Sequence, residues 1–126
     1  MTASRDELPA HIRHRGGPDT DNRAIAYPPA PPALSVGVYD NHAHVEFADG
    51  DNPMDYTQHL DAAGSVGVLG IVQVGTDVET SRWSVALAAR EPRVLAAVAI
   101  HPNEAPLLAK PAGSTTPWRS WTLSRP

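Results

Sequence analysis

The sequence has no cysteine, which excludes a disulfide framework and any thiolate metal site. A metal ion bound here would need histidine and carboxylate ligands, and a reducing, cytoplasmic compartment suits such a chain. Basic charge is also scarce: ten Lys and Arg against fourteen Asp and Glu leave a net charge of −4. That balance excludes a nucleic-acid binder that works through a sequence-independent basic surface. No apolar run approaches a membrane span, and residues 1–10 lack an apolar signal-peptide core, so neither anchor nor signal peptide is expected. A chain of 126 residues fits one small domain and falls short of larger closed architectures.

Proline is plentiful, with thirteen in all, six in the first 34 residues and five after Ile100. Residues 1–34 mix Arg5, Arg13, Arg15 and Arg23 with Asp6, Glu7, Asp19 and Asp21 and show no apolar periodicity. They read as a disordered leader ending in a polyproline-II spacer, Tyr27-Pro-Pro-Ala-Pro-Pro32. Such a spacer can serve as an SH3-type ligand, but an extended tail is the simpler reading. His11 and His14 are expected to be solvated. At the other end, residues 107–126 lose all periodicity, and Trp118 and Trp121 have no apolar partners nearby. A second disordered tail is expected there.

Between these tails, residues 35–106 have a different texture. Val36-Gly-Val-Tyr-Asp-Asn-His-Ala-His44 reads as a short apolar strand that runs out into Asp40, His42 and His44. Strand side chains alternate with period two, so His42 and His44 point the same way at the same end. Two imidazoles so placed make half of a metal site, although a lone His-x-His is more often a surface coincidence. After a polar loop, Asp51 or Asn52 can cap a helix with Pro53 at its first position. Tyr56, Leu60 and Ala63 then form one apolar face, and Gly64 closes the helix; His59 lies off that stripe. Residues 66–74 are a continuous apolar run, the mark of a strand covered on both faces. Thr76-Asp-Val-Glu79 has capping-box spacing and opens a helix with Val78, Val85, Ala86 and Ala89 on one side. Pro92 follows, and residues 94–100 form a further buried strand.

This alternation predicts an α/β fold with a parallel sheet, in which function gathers at the carboxyl ends of the strands. In chain order those ends carry Asp40-Asn-His-Ala-His44, Gly75-Thr-Asp77 and His101-Pro-Asn-Glu104. Metal-competent residues therefore fall where the architecture places chemistry.

Those three segments, with Ala62-Ala-Gly-Ser-Val-Gly67 between them, resemble the opening of the TatD-type metal-dependent deoxyribonucleases. The similarity runs from about Val38 to Pro106. It implies part of a (β/α)8 TIM barrel of the amidohydrolase-like group, about three β-strands with two helices. It further implies His42 and His44 as ligands of a divalent metal (Zn, Mg or Mn), His101 in the substrate pocket near the phosphate, and Asp40 behind a ligand imidazole. The substrate would be DNA or another phosphodiester. Phosphate recognition would rest on metal, His101 and backbone amides, because residues 36–105 hold ten acidic side chains against Arg82, Arg90 and Arg93.

The family's Gly-Glu-x-Gly-Leu-Asp segment, its later histidines and its final aspartate have no counterparts here, so the resemblance implies an N-terminal portion, truncated or frame-shifted. A complete barrel needs about 250 residues. Two other readings stand beside the nuclease. One is an inactive remnant that binds a partner through its open sheet edge. The other is a different metal-dependent amidohydrolase acting on a small C–N or ester substrate, against which Gly75-Thr-Asp77 and Ile100-His-Pro102 weigh.

Overall fold

Three parallel strands and two helices form in the order that the apolar runs predict. The computed structural model describes residues 8–14, 27–48, 50 and 52–109. In chain order the elements are β1 (Arg13–His14), β2 (Val38–Ala43), β3 (Phe47–Ala48), α1 (Tyr56–Ser65), β4 (Val68–Val74), α2 (Val78–Ala88), β5 (Val94–Ala97) and α3 (Ala105–Leu108). The main sheet has the order β2-β4-β5, all parallel, and β1 pairs with β3 in a separate small parallel ribbon. Sequential strands lie side by side with a helix in each connection, as in the opening of a β/α barrel.

Local chemistry sets the helix ends, each displaced from its expected position. The cap of α1 is Asp55, not Asp51 or Asn52. Asp55 accepts the Gln58 amide at 2.8 Å, and Gln58 returns a bond to the Asp55 amide at 2.9 Å. This reciprocal box satisfies two orphan amides at once, which leaves Pro53 outside the helix. The helix runs past Gly64 to Ser65, and Gly67 (φ 99°) supplies the left-handed turn into β4. In α2 the box is Asp77 with Thr80, one residue later than Thr76 with Glu79. Thr80 Oγ1 receives the Thr76 and Asp77 amides at 2.8 and 3.0 Å, so the whole turn closes on one hydroxyl. Gly75 is required just before it, because a Cβ there would lie 2.6 Å from Ser81 Cα.

The core is Leu60, Ile71, Trp83, Leu87 and Val94, flanked by Tyr56, Val68, Ala43, Leu8 and Ile12. Tyr56 meets Trp83 edge to face, with ring centroids 6.1 Å apart. The buried stripe of α2 is thus Thr80, Trp83, Ser84 and Leu87, not the Val78 and Val85 side, which is exposed. The i, i+3, i+4, i+7 pattern fits both faces, and the bulk of Trp83 and Leu87 decides between them. Strand β5 ends at Ala97, so Val98, Ala99 and Ile100 leave the ladder earlier than expected. Two-sided burial is not reached: Tyr39 and Leu95 are 67% and 64% exposed.

The leader differs most from expectation. Leu8 and Ile12 pack on the core, the Trp83 indole donates to the Pro9 carbonyl at 2.9 Å, and His11 Nε2 lies 2.7 Å from the Met54 carbonyl. Further on, the Tyr27 hydroxyl accepts the Met54 amide at 3.2 Å, and the Tyr27 ring meets His59 edge to face. His11 and His59 are therefore engaged, not simply solvated, and residues 8–14 form a strap. A short strap has no periodicity, and the tertiary surface that receives it supplies its partners. The expected disordered tail is corrected at its start, where Leu107 and Leu108 belong to α3 and Ala109 caps it; residues 110–126, with Trp118 and Trp121, lie outside the described residues, as do residues 1–7 and 15–26 of the leader.

Arg93 ties the α2–β5 turn to α1, donating to Glu91 at 2.8 Å and to Asp61 at 2.7 Å. The Arg93 hydrogen bonds hold the Glu91 carboxyl down at about 2. A carboxyl depressed in the folded state stabilises above its unfolded value and loses that contribution as pH falls. Stability in urea is expected to drop as pH falls from about 4.5 to about 2, and Arg93→Ala should flatten that part of the profile. The helix register is tested by two truncations. Leu87→Ala is expected to cost about 2–5 kcal/mol in urea unfolding, whereas Val85→Ala should change stability by less than about 0.5 kcal/mol.

Candidate metal centre

The strand that carries the histidines is irregular just where they stand. Between Asp40 and Ala43, β2 advances one residue more than β4 does between their partners Ile71 and Gln73. Such a bulge re-aims side chains at a strand end. The Asp40 carboxylate accepts the His42 backbone amide at 3.0 Å, which closes a local turn over the extra residue. Asp40 thus acts on the main chain in this structure, where an imidazole contact was expected.

The bulge does not separate the two rings. His42 Nε2 and His44 Nε2 lie 3.2 Å apart, with ring centroids at 5.1 Å and planes inclined by 70°. Two nitrogens bound at 2.0–2.1 Å to a tetrahedral ion stand about 3.3 Å apart, so the pair has the spacing of one coordination edge. His42 is exposed and His44 half-buried, so the edge opens toward solvent. Among the described residues no group of three or more His, Cys, Asp or Glu side chains is placed to hold an ion. These residues fit half of a metal site.

Behind the pair lies the first carboxylate of the polar loop that follows β2. Glu46 is 0% exposed, and its Oε1 faces His44 Nδ1 at 3.3 Å. Neither atom makes a hydrogen bond, to the other or elsewhere: they approach each other without hydrogen-bond alignment. The other oxygen, Oε2, accepts from Gln73 Nε2 at 2.6 Å, while Gln73 Oε1 accepts the Val45 amide at 2.8 Å. Gln73 is itself 0% exposed. Its signal was present in the sequence, as the one polar side chain in the apolar run of β4. A buried amide in such a run must have a polar partner. Phe47 packs edge to face on His44, with centroids 6.4 Å apart.

The strap covers this cluster. The Ile12 and Arg13 amides both donate to the Glu46 carbonyl, at 3.1 and 3.2 Å, and the Arg13 guanidinium pairs with the Asp77 carboxylate. Burial opposes ionisation of Asp77, but the Thr80 amide and hydroxyl and the Arg13 guanidinium outweigh it and hold its carboxyl below the usual range. Asp77 is thus committed to a helix cap and an ion pair. His101 sits at the same end of the sheet, its amide bonded to the Thr76 carbonyl at 2.7 Å. Its Nδ1 accepts the Asn103 amide at 3.1 Å, which leaves the proton on Nε2. Elsewhere, a groove of about 480 Å³ lies between α2 and the chain after β5, lined by Val78, Val85, Val98 and Ile100. It contains none of the predicted site residues.

Residues 39–118 match the family described as TatD related DNase. The match continues into the stretch expected to be an unrelated tail. Over 76 residues the chain is 38% identical to the uncharacterized metal-dependent hydrolase TatD of Mycobacterium tuberculosis, covering 60% of this chain and 28% of that protein. The chain therefore spans a little over a quarter of the length of this relative. No solved structure matches. Removing the Arg13 side chain should loosen the strap by about 1 kcal/mol, or roughly fivefold in local opening. Hydrogen exchange of Arg13→Ala is expected to show this as faster exchange at the Ile12 amide.

Proposed function

Because the chain belongs to the TatD related DNase family, we propose that it contributes the first two ligands of a metal-dependent hydrolase that cleaves DNA phosphodiester bonds. One observation carries this reading: the 3.2 Å approach of two imidazole nitrogens at the carboxyl end of a parallel strand. His42 and His44 would hold a divalent ion (Zn, Mg or Mn). When bound, that ion activates a water and polarises a phosphoryl oxygen.

The chain's own residues have separable tasks. His44 presents Nε2 from a half-buried ring backed by Glu46, and His42 offers Nε2 from the solvent side. His101, whose Nδ1 is occupied by the Asn103 amide, is left with an Nε2–H donor suited to a phosphoryl oxygen. The acidic surface supplies no general attraction for a polyanion. Binding of DNA would rest on the ion and on a few directed donors. The Mycobacterium tuberculosis relative, named as a metal-dependent hydrolase, supports the metal and the hydrolytic class. The family description supports the DNA substrate.

Calorimetry with Zn²⁺ or Mn²⁺ tests the site. The 126-residue chain is expected to bind weakly, because two imidazoles fall short of the three protein ligands usual in catalytic sites. His42→Ala should abolish that binding, and equal binding by wild type and by the His42→Ala, His44→Ala double variant would sink the assignment. Two ligands should also leave this chain without appreciable nuclease turnover. Metal-dependent hydrolysis of a small ester or amide that disappears in His42→Ala, with DNA untouched, would overturn the substrate.

A further inference from the structure

Every acceptor around Glu46 is accounted for except one, and that one fixes the state of His44. Gln73 Oε1 is committed to the Val45 amide, so the orientation of the Gln73 amide is set and its Nε2 must donate to Glu46 Oε2. Glu46 Oε1 then has only His44 Nδ1 before it, an approach of 3.3 Å without hydrogen-bond alignment in which both atoms are buried. A carboxylate oxygen accepts and does not donate. If His44 Nδ1 were bare, two lone pairs would face each other away from water, the costly arrangement of an unsatisfied buried pair. Val45 is the residue between His44 and Glu46, so the same Gln73 amide also ties down the backbone that carries both.

From this geometry we infer that Glu46, held by Gln73, is a positioning residue that locks His44 in the Nδ1–H tautomer and so keeps its Nε2 lone pair bare toward His42. In the ion-free chain His42 Nε2–H then donates across the 3.2 Å gap. With an ion present, the same lone pair is the ligand. The functional value of the arrangement rests on the proposed metal reading; the tautomer itself does not.

Glu46→Gln makes the inference testable with almost no change of shape. The new amide must turn its carbonyl to the Gln73 donor and its NH2 to His44. Nδ1 would then have to accept, and the proton would move to Nε2. Long-range ¹H–¹⁵N spectra of the histidine-labelled full chain, at about pH 8 where imidazoles are neutral, read the tautomer directly. The expected result is Nδ1–H for His44 in the wild type and Nε2–H in Glu46→Gln, with Zn²⁺ affinity in the variant lowered about 10–100-fold. An Nε2–H tautomer in the wild type overturns the inference, and so does an unchanged tautomer in the variant. If the variant does not fold, the wild-type spectrum alone decides. An Nδ1–H tautomer in a wild-type chain that binds no Zn²⁺ would uphold the positioning role and remove the metal reading.

Discussion

A carboxylate with no exposed surface is the constraint around which this chain is built. Taking the Glu46 side chain out of water is costly unless its oxygens find polar partners, and the structure brings two groups up to it. One is Gln73 from the middle strand of the sheet, the other the imidazole of His44 two residues away. The backbone of Glu46 is used as well, since its carbonyl receives the strap amides. Residues distant in the chain thus meet at one side chain, and it stands directly behind the two histidines. A group so enclosed is difficult to explain as packing alone, because an apolar residue would fill the space without the desolvation cost.

The neighbouring polar groups divide between scaffold and chemistry. Asp77 and Thr80 spend their hydrogen bonds on the first turn of α2, and Asp40 spends its bond on the bulge. The imidazoles of His42, His44 and His101 stand free of that scaffold at this end of the sheet. A nuclease usually meets a polyanion with lysine and arginine, yet the three arginines of residues 36–105 lie on helix α2 and the turn that follows it. One of them, Arg93, is tied to Glu91 and Asp61. On the proposed function, attraction of phosphate would fall to a bound cation and to directed N–H donors.

Apolar surface shows how the sheet is covered. Helices α1 and α2 bury Ile71 and Val94, while Tyr39 and Leu95 face water, as do Val78, Val85, Val98 and Ile100 around the groove. The apolar runs of β4 and β5 read as strands with both faces covered, and the described residues cover them only in part. Strand β4 is paired on both sides, whereas β5 ends the sheet among the described residues with Leu95 exposed, the kind of apolar edge on which chains associate.

The sequence by itself determined the order of the three main strands and their two connecting helices, the parallel sheet and the placing of His42, His44 and His101 at its carboxyl end. Those follow from local causes: apolar runs of strand length, capping side chains, and a crossover between parallel strands. The motifs around them were specific enough to indicate the family. Several features were decided only by tertiary structure. Which face of α2 is buried depended on the bulk of Trp83 and Leu87 against the sheet, since apolar spacing fitted two faces equally well. The strap of residues 8–14 has no local preference for structure and is ordered by the surface on which it lies. The clamp of Gln73 on Glu46 joins two residues 27 apart in sequence, and no local rule connects a strand amide to a loop carboxylate until folding removes water from both.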